Sequence, residues 1–415
     1  MKFRPGNDVH SSPVFNNTED VPIVGVNSRP PMYQHGKTLF LTIAYPPNPT
    51  ASSVVNRHLL DQFDPKSFVV ITGFFPGARR AEIPKEVRQY YIYISFEFLS
   101  SKIHRFIARI QRFTIPVFLN LYISFFKPER IIIGYPDLYW LDICSSVAIK
   151  KNIPFIPYLH DTIVEATYYG PSKELAKKVQ QRAFGKAYNI AVMSEGMKEL
   201  YRKKYQLPSV AWQHIYPEKP LVFKGEKINR AHWSGDVYEI NYKAVIRLNN
   251  ALVKLGMQFS ISNGKSREQL KAFGIEGEHI QKVFYPRRTD YLQHLSASKI
   301  LLVGLNYTSE CSVHEDELAT IFSTKTPEYL GSDSLIVYHG PSHYFLAKFL
   351  LENDCGIVID TRDENQLLHE LKNVIDNYAM HASKIKNAAR SLSIFDASLV
   401  ANKLIRTLDV QNHSY

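Results

Sequence analysis

A chain of 415 residues is longer than one hydrophobic core usually organises, so two domains are the expectation. Its three cysteines, Cys144, Cys311 and Cys355, form no CxxC pair, which argues against a zinc ribbon or disulfide scaffold and suits a reducing compartment. The net charge of +11 favours acidic partners such as nucleotides, phosphosugars, anionic lipid or nucleic acid without choosing among them.

Residues 1–36 are rich in Pro, Asn and Ser and lack periodicity, which predicts a loosely ordered extension. The opening MKFRPGNDVHSSPVF has no apolar core of a secretion signal, so a cytoplasmic location is expected. From residue 37 short apolar runs alternate with helical patterns. LFLTIA (39–44), FVVITG (68–73), RIIIGY (130–135), PFIPYLH (154–160) and NIAVMS (189–194) read as strands of a parallel sheet covered on both faces. Between the second and third of these lies SKIHRFIARIQRFTIPVF (101–118). There Ile103, Phe106, Ile107, Ile110 and Phe113 share one helical face, and Arg105, Arg109 and Arg112 another. Two readings stay open: the helix packs its apolar face on the sheet, or it rests peripherally on the inner face of an anionic membrane. The run IPVFLNLYISFF (115–126) falls well short of the roughly 20 residues of a membrane span.

A first domain is therefore expected over 37–215 and a second over 216–395, followed by a helix and tail (396–415) returning to the first. The second series of strands is RAHWSG (230–235), QFSISN (258–263), KVFYP (282–286), KILLVGL (299–305), SLIVYHG (334–340) and CGIVID (355–360). Between its first two strands, Ala244, Val245, Leu248, Ala251, Leu252 and Leu255 mark an amphipathic helix stopped by Gly256. Two such βα series predict two Rossmann-like domains facing each other across a cleft.

Several chemistries are set aside. No G-x-G-x-x-G follows a strand, and SNGKS (262–266) is not a P-loop because position 259 is Phe. No G-x-S-x-G elbow is present. The acids of EDE (315–317) read as a solvated surface, and no metal is expected. The basic residues are dispersed, so no nucleic-acid partner is expected.

Ligands of open α/β sheets gather at the carboxyl ends of strands. In YPPNPTASSVVNRHLL (45–60), Ser52 or Ser53 is placed to cap the next helix, whose first N–H groups suit a phosphate. The alternative is a plain cap with turn prolines. His160 and Asp161 end a strand, either structurally or to meet a sugar hydroxyl. Gly235 permits close backbone approach after the strand at 230–235, or serves an ordinary turn. In TIFSTKTPEYLGSDSLIVYHGP (320–341), Ser323 and Thr324 fall at an expected helix start. Lys325 adds charge there, and Glu328 offers a carboxylate to paired ribose hydroxyls. The alternative is a capped surface helix with a weak Lys–Glu pair.

Three of these stretches, AYNIAVMSEGMKELYRKKY, HWSGDVYEINYKAVIRLNNAL and FSTKTPEYLGSDSLIVYHGP, together with IPFIPYLHD, resemble segments of GT-B glycosyltransferases of the family 4-like group (glycosyl transferases group 1). The resemblance covers roughly residues 38–395 and implies an α/β GT-B fold: two Rossmann-like domains with parallel sheets across a central cleft. It implies a retaining, metal-independent transfer of a sugar from a UDP- or GDP-linked donor, with no cofactor. The acceptor would be a saccharide or a lipid-linked molecule, in surface polysaccharide or glycolipid synthesis. By the same pattern Glu328 binds the donor ribose. Ser323, Thr324 and Lys325 lie at the diphosphate, Gly235 and Lys243 complete the donor side, and His160 sits near the transferred sugar. Asn48, Thr50, Ser52, Ser53 and Asp161 are the candidate acceptor contacts. The group often carries an earlier glutamate in this segment; eight positions before Glu328 this sequence has Thr320, with Glu315 and Glu317 out of register. A nucleotide-sugar epimerase of the same fold and a non-catalytic scaffold remain the alternatives.

Overall fold

Each expected strand is too short and too apolar to stand alone, and the computed structural model assembles these runs into two parallel sheets, except that the strand expected at 282–286 lies earlier, at Ile280–Lys282. It describes residues 37–46, 48, 50–74, 87–94, 101–135, 137–166 and 172–408. The first series comprises β1 (Thr38–Thr42), α1 (Ala51–Leu60), β2 (Phe68–Phe74), β3 (Arg88–Ile94), α2 (Ser101–Phe126), β4 (Arg130–Tyr135), α3 (Leu138–Lys151) and β5 (Phe155–Leu159). It ends with α4 (Lys173–Phe184), β6 (Ala191–Val192), α5 (Glu195–Tyr205) and β7 (Val210–Ala211). The strand order is β3-β2-β1-β4-β5-β6-β7, all neighbours being parallel.

The second series runs β8 (Ile228–Ser234), α6 (Tyr242–Lys254), β9 (Gln258–Ser262), α7 (Arg267–Ala272), β10 (Ile280–Lys282), α8 (Arg288–Ala297) and β11 (Ser298–Gly304). It continues with α9 (Glu315–Thr320), α10 (Thr326–Leu330), β12 (Leu335–His339), α11 (Phe345–Glu352), β13 (Ile357–Ile359), α12 (Glu364–Asp376), α13 (Ala382–Ser391) and α14 (Ala397–Leu408). Its sheet has the order β10-β9-β8-β11-β12-β13, again parallel.

Both orders follow from right-handed crossovers. The chain walks outward from a central strand, returns, and walks the other way. The reversal falls between β1 and β4 in one sheet and between β8 and β11 in the other, so each domain opens a crevice at that point. The first core runs along β1, β2, β4 and β5 and includes Val400, Leu404 and Leu408 of α14. The last helix thus crosses back to the first domain, and the Arg130 guanidinium donates to the Leu408 carbonyl at 2.6 Å. In the second domain, Leu248, Leu252, Leu367 and Leu371 cover one face of the sheet, and Leu292, Leu295, Leu346 and Leu350 cover the other. Fully burying such a side chain is worth about 1.5–3 kcal/mol.

Of the two readings left open for the apolar face of α2, packing on the sheet is not what the structure shows for the residues that defined it. Ile115, Leu119 and Ile123 are buried in the core. By contrast Ile103, Phe106, Ile110 and Phe113 are exposed, Phe113 by 81%. The pattern was read over the first half of the helix, whereas the contact with the sheet is made by the second half. Pro116 sits inside α2, and Asn120 Nδ2 donates to its carbonyl at 2.7 Å.

Candidate active site

The two crevices meet. One cavity of about 310 Å³ is lined by Ala51 and Ser52 after β1, His160–Thr162 after β5, and Met193 and Ser194 after β6. Its other wall holds Trp233–Asp236 at the end of β8, Val303–Leu305 at the end of β11, Glu317, and Thr320–Lys325. These are strand ends at or beside both points of reversal. The walls are tied together. The Ser194 hydroxyl donates to the Thr320 carbonyl at 3.2 Å, and Lys204 bridges Glu165 at 2.8 Å and Asp316. His214 Nδ1 lies 3.1 Å from the Thr324 carbonyl.

Of the residues singled out from the sequence, Ser52, His160, Asp161, Gly235, Ser323, Thr324 and Lys325 line this cavity. Gly235 has φ +104, and no atom lies within 4 Å of where a Cβ would stand, so the wall there is bare backbone. Glu328 lies directly behind Lys325. The other candidates stand elsewhere. Asn48 is buried as a staple, its amide donating to the Ile43 and Gly73 carbonyls at 2.8 and 3.1 Å. The cap of α1 is neither Ser52 nor Ser53 but Thr50, whose side chain accepts from the Ser53 N–H at 3.1 Å. The Ser53 hydroxyl is buried. Lys243 is exposed on the first turn of α6, 5.2 Å from the Tyr242 ring centre, and is not part of the cavity wall.

His160 has a defined polarity. The Asn56 amide donates to the Ala44 carbonyl at 2.7 Å, which leaves its Oδ1 as the acceptor 3.1 Å from His160 Nε2. Nε2 therefore carries the proton, and Nδ1, which has no partner, is a bare acceptor. Burial drives the imidazole pKa down to about 3, so the ring is neutral at any physiological pH. Its chemistry is acceptance of a hydroxyl proton in a hydrogen bond rather than charge.

Glu328 is 1% exposed and ionised. Burial alone would raise its pKa, but the Lys325 and Arg288 cations outweigh it and hold the carboxyl at about 2. Arg288 Nη1 is 2.6 Å from Oε1, while Lys325 Nζ and the Tyr291 hydroxyl are 3.3 and 2.9 Å from Oε2. Arg288 also pairs with Glu218. The helix behind this segment, α10, has only five residues and is capped by Lys325 without a side-chain bond. Charge here comes from the lysine rather than from a helix dipole.

Two important residues escaped the sequence reading. Arg288 sits in VFYPRRTD after β10, where only its neighbour Arg287 forms an ordinary surface pair, with Asp290 at 2.8 Å. Glu317 is the last of the three acids read as a solvated surface; Glu315 is exposed as expected, Asp316 is half-buried and paired with Lys204, and Glu317 is buried. Glu317 is 3% exposed, faces the cavity, and accepts from the Thr162 N–H at 3.3 Å and from the Thr162 hydroxyl. Burial, then the Asp161 carboxylate, push its pKa well above the usual range; burial raises Asp161 as well. The signal available in the sequence was the position of Glu317 one helical turn ahead of Thr320, on the side of α9 that turns inward. Among the described residues, no three His, Cys, Asp or Glu side chains are grouped so as to hold a metal ion.

No protein-family model matches the sequence, and no curated protein does. Solved structures are similar over nearly the whole chain. Anabaena HepE, in complex with UDP and glucose, superposes with TM-score 0.65 at 12% identity, over 90% of this chain and 99% of that one. Sucrose-phosphate synthase from Thermosynechococcus elongatus gives 0.64 at 11% identity, over 89% and 98%. A protein described as UDP-N-acetylglucosamine 2-epimerase from Listeria monocytogenes gives 0.55 at 10%, over 92% and 99%. The architecture is thus that of the GT-B class, with parallel sheets of seven and six strands bounding one cleft.

Proposed function

We propose that the protein is a glycosyltransferase that takes a sugar from a UDP- or GDP-linked donor. The observation carrying this reading is the cleft wall of the second domain. Lys325, Ser323 and Thr324 face open space, beside the bare backbone of Gly235, with the ionised Glu328 directly behind. Such a wall suits a diphosphate beside a ribose. Lys325 would hold the departing diphosphate, a form of electrostatic stabilisation that is usually a large contribution to catalysis. Arg288 is committed to Glu218 and Glu328 and would act by fixing the glutamate. His160, in the wall of the cleft, would lie near the transferred sugar. Retention of configuration, metal independence, a cytoplasmic location, and a saccharide or lipid-linked acceptor of surface polysaccharide or glycolipid synthesis complete the reading. HepE, of the same fold, is solved with UDP-glucose.

Thermal shift against UDP, GDP, ADP and CMP tests it. A diphosphate at a hundred times its dissociation constant stabilises by about 2.7 kcal/mol and raises the melting point. One of UDP or GDP is expected to do so, and Glu328→Gln to abolish the shift. A chain that responds to none of these nucleotides or their sugars is not a transferase of this kind.

A second reading, a nucleotide-sugar epimerase, draws on Asp161 and Glu317. These are two carboxyls with raised pKa values in the same cleft, the kind of pair that proton transfer uses. Incubating the donor without acceptor separates the two readings. An epimerase changes the stereochemistry of the sugar, whereas a transferase returns the donor's sugar unaltered until an acceptor is added.

A further inference from the structure

We propose that helix α2 seats this protein on an anionic lipid bilayer. Ile103, Phe106, Ile110, Phe113, Val117, Leu121 and Phe125 are all exposed, and their spacing of three and four residues draws one stripe along the whole helix. The exposure is large at the two ends of the second half, 81% at Phe113 and 90% at Phe125. Between Ile103 and Phe113 no described side chain is buried, so the described side chains of this stretch stand clear of the core. Ile115, Leu119 and Ile123 hold the second half to the sheet from the opposite side. A stripe of this size on an outer helix marks a surface that something covers.

The charge of the helix selects what covers it. From Phe98 to Pro128 the sequence holds Lys102, Arg105, Arg109, Arg112 and Lys127 and not one Asp or Glu. Arg109, Arg112 and Lys127 are exposed, and Arg112 lies 3.8 Å over the Tyr139 ring. Aromatic and aliphatic side chains flanked by cations alone match a layer that is apolar inside and negative at its face. A second copy of the same helix would bring cations against cations. Among the described residues no helix is long and apolar enough to cross a membrane, so α2, about 39 Å long at 1.5 Å per residue, lies in the interface rather than spanning it. In a parallel βαβ crossover the helix begins at the carboxyl ends of the strands, where the cavity also opens. On the transferase reading, that arrangement would present a lipid-linked acceptor at the mouth of the cleft.

The test uses the full chain and sedimentation with vesicles of phosphatidylcholine alone or mixed with phosphatidylglycerol. Binding is expected only to the mixed vesicles and is expected to weaken as salt rises. Phe113→Glu with Phe125→Glu should lower it by about tenfold or more for each ring, without moving the melting point, because neither ring is in the core. Phe113→Trp supplies an independent readout, a blue shift of its emission on adding mixed vesicles. No sedimentation at low salt together with no blue shift overturns the proposal, as does equal binding to neutral vesicles. It is also overturned by a dimer in light scattering that the double glutamate variant dissolves, which would show the stripe covered by a second copy. Nucleotide thermal shifts are read separately, so a failure here leaves the donor site standing and the reverse holds too.

Discussion

Glu328 and Glu317 stand on the same wall of the same cleft, both almost sealed from water, and their environments treat them in opposite ways. Around Glu328, Arg288, Lys325 and the Tyr291 hydroxyl supply two charges and a donor, and the carboxyl stays ionised down to about pH 2. Around Glu317 the donors are the neutral N–H and hydroxyl of Thr162, and the charge that acts on it most strongly is another carboxylate, Asp161. Burial acts on both; what differs is whether a cation is present to answer it. One is a fixed anion built into the fold, the other a group poised to exchange a proton. Clefts that keep an uncompensated acid do so at some cost in stability, which is why such groups point to function.

The comparison breaks most visibly at Arg288. Arg288→Met leaves Glu328 buried with Lys325 alone and frees Glu218. A loss of about 3 kcal/mol in urea unfolding is expected, the scale of an orphaned buried charge moderated by the arginine's partial exposure. A loss under about 1 kcal/mol would mean that Lys325 suffices. Lys325→Met separates the same cluster from its ligand. Stability should fall less, because Arg288 remains, while diphosphate affinity in calorimetry drops roughly tenfold to a hundredfold, the scale of a charge-assisted contact. Unchanged affinity would remove Lys325 from the donor site.

The acidic pair is tested by pH. Glu317 has a higher pKa folded than unfolded, so the native state binds the extra proton, and stability falls as pH rises from about 4.3 through the raised value. Glu328 has the opposite sign: its contribution is whole above about 4.3 and is lost as pH falls toward 2. Glu317→Gln keeps an acceptor for Thr162 and removes the titration. Melting points of this variant should decline less than those of the parent between pH 5 and pH 8, with the curves converging on the acid side. Parallel curves would show that Glu317 is ionised throughout.

The frame was legible in the sequence because buried parallel strands write themselves as apolar runs. RIIIGY and SLIVYHG lie where they were read. β3, RQYYIYI, was passed over because it is an edge strand whose Tyr90 and Tyr91 are 39% and 38% exposed, so it lacks the continuous apolar run of a central one. β7 has two residues and no pattern to find. That Ser323, Thr324 and Lys325 share one stretch of the cavity wall was readable because they are consecutive in the chain, with Glu328 one turn further on. What escaped depends on contacts between distant segments. Arg288 reaches Glu328 from another helix, and Glu317 is buried only because Thr162 of the first domain lies against it. The same limit left the reading of α2 open, since its periodicity shows that an apolar face exists but not which neighbour it meets.

The smallest effect is expected at Thr320, the position set against the earlier glutamate of the group that the sequence resembles. Its hydroxyl bonds back to the carbonyls of Asp316 and Glu317 at 2.9 and 3.1 Å and so serves α9 itself. If the working carboxylate of this wall is Glu317, Thr320→Val keeps the shape of the side chain and removes only that bond. Stability should fall by about 1 kcal/mol or less, and the pH dependence of melting should remain that of the parent. Diphosphate affinity should stay within about twofold, since no charge in the cleft has changed. A Thr320→Val variant that lost diphosphate binding while keeping its melting point would place the hydroxyl at 320 among the groups that hold the ligand. The contrast between two carboxylates would then no longer describe how this cleft divides its work.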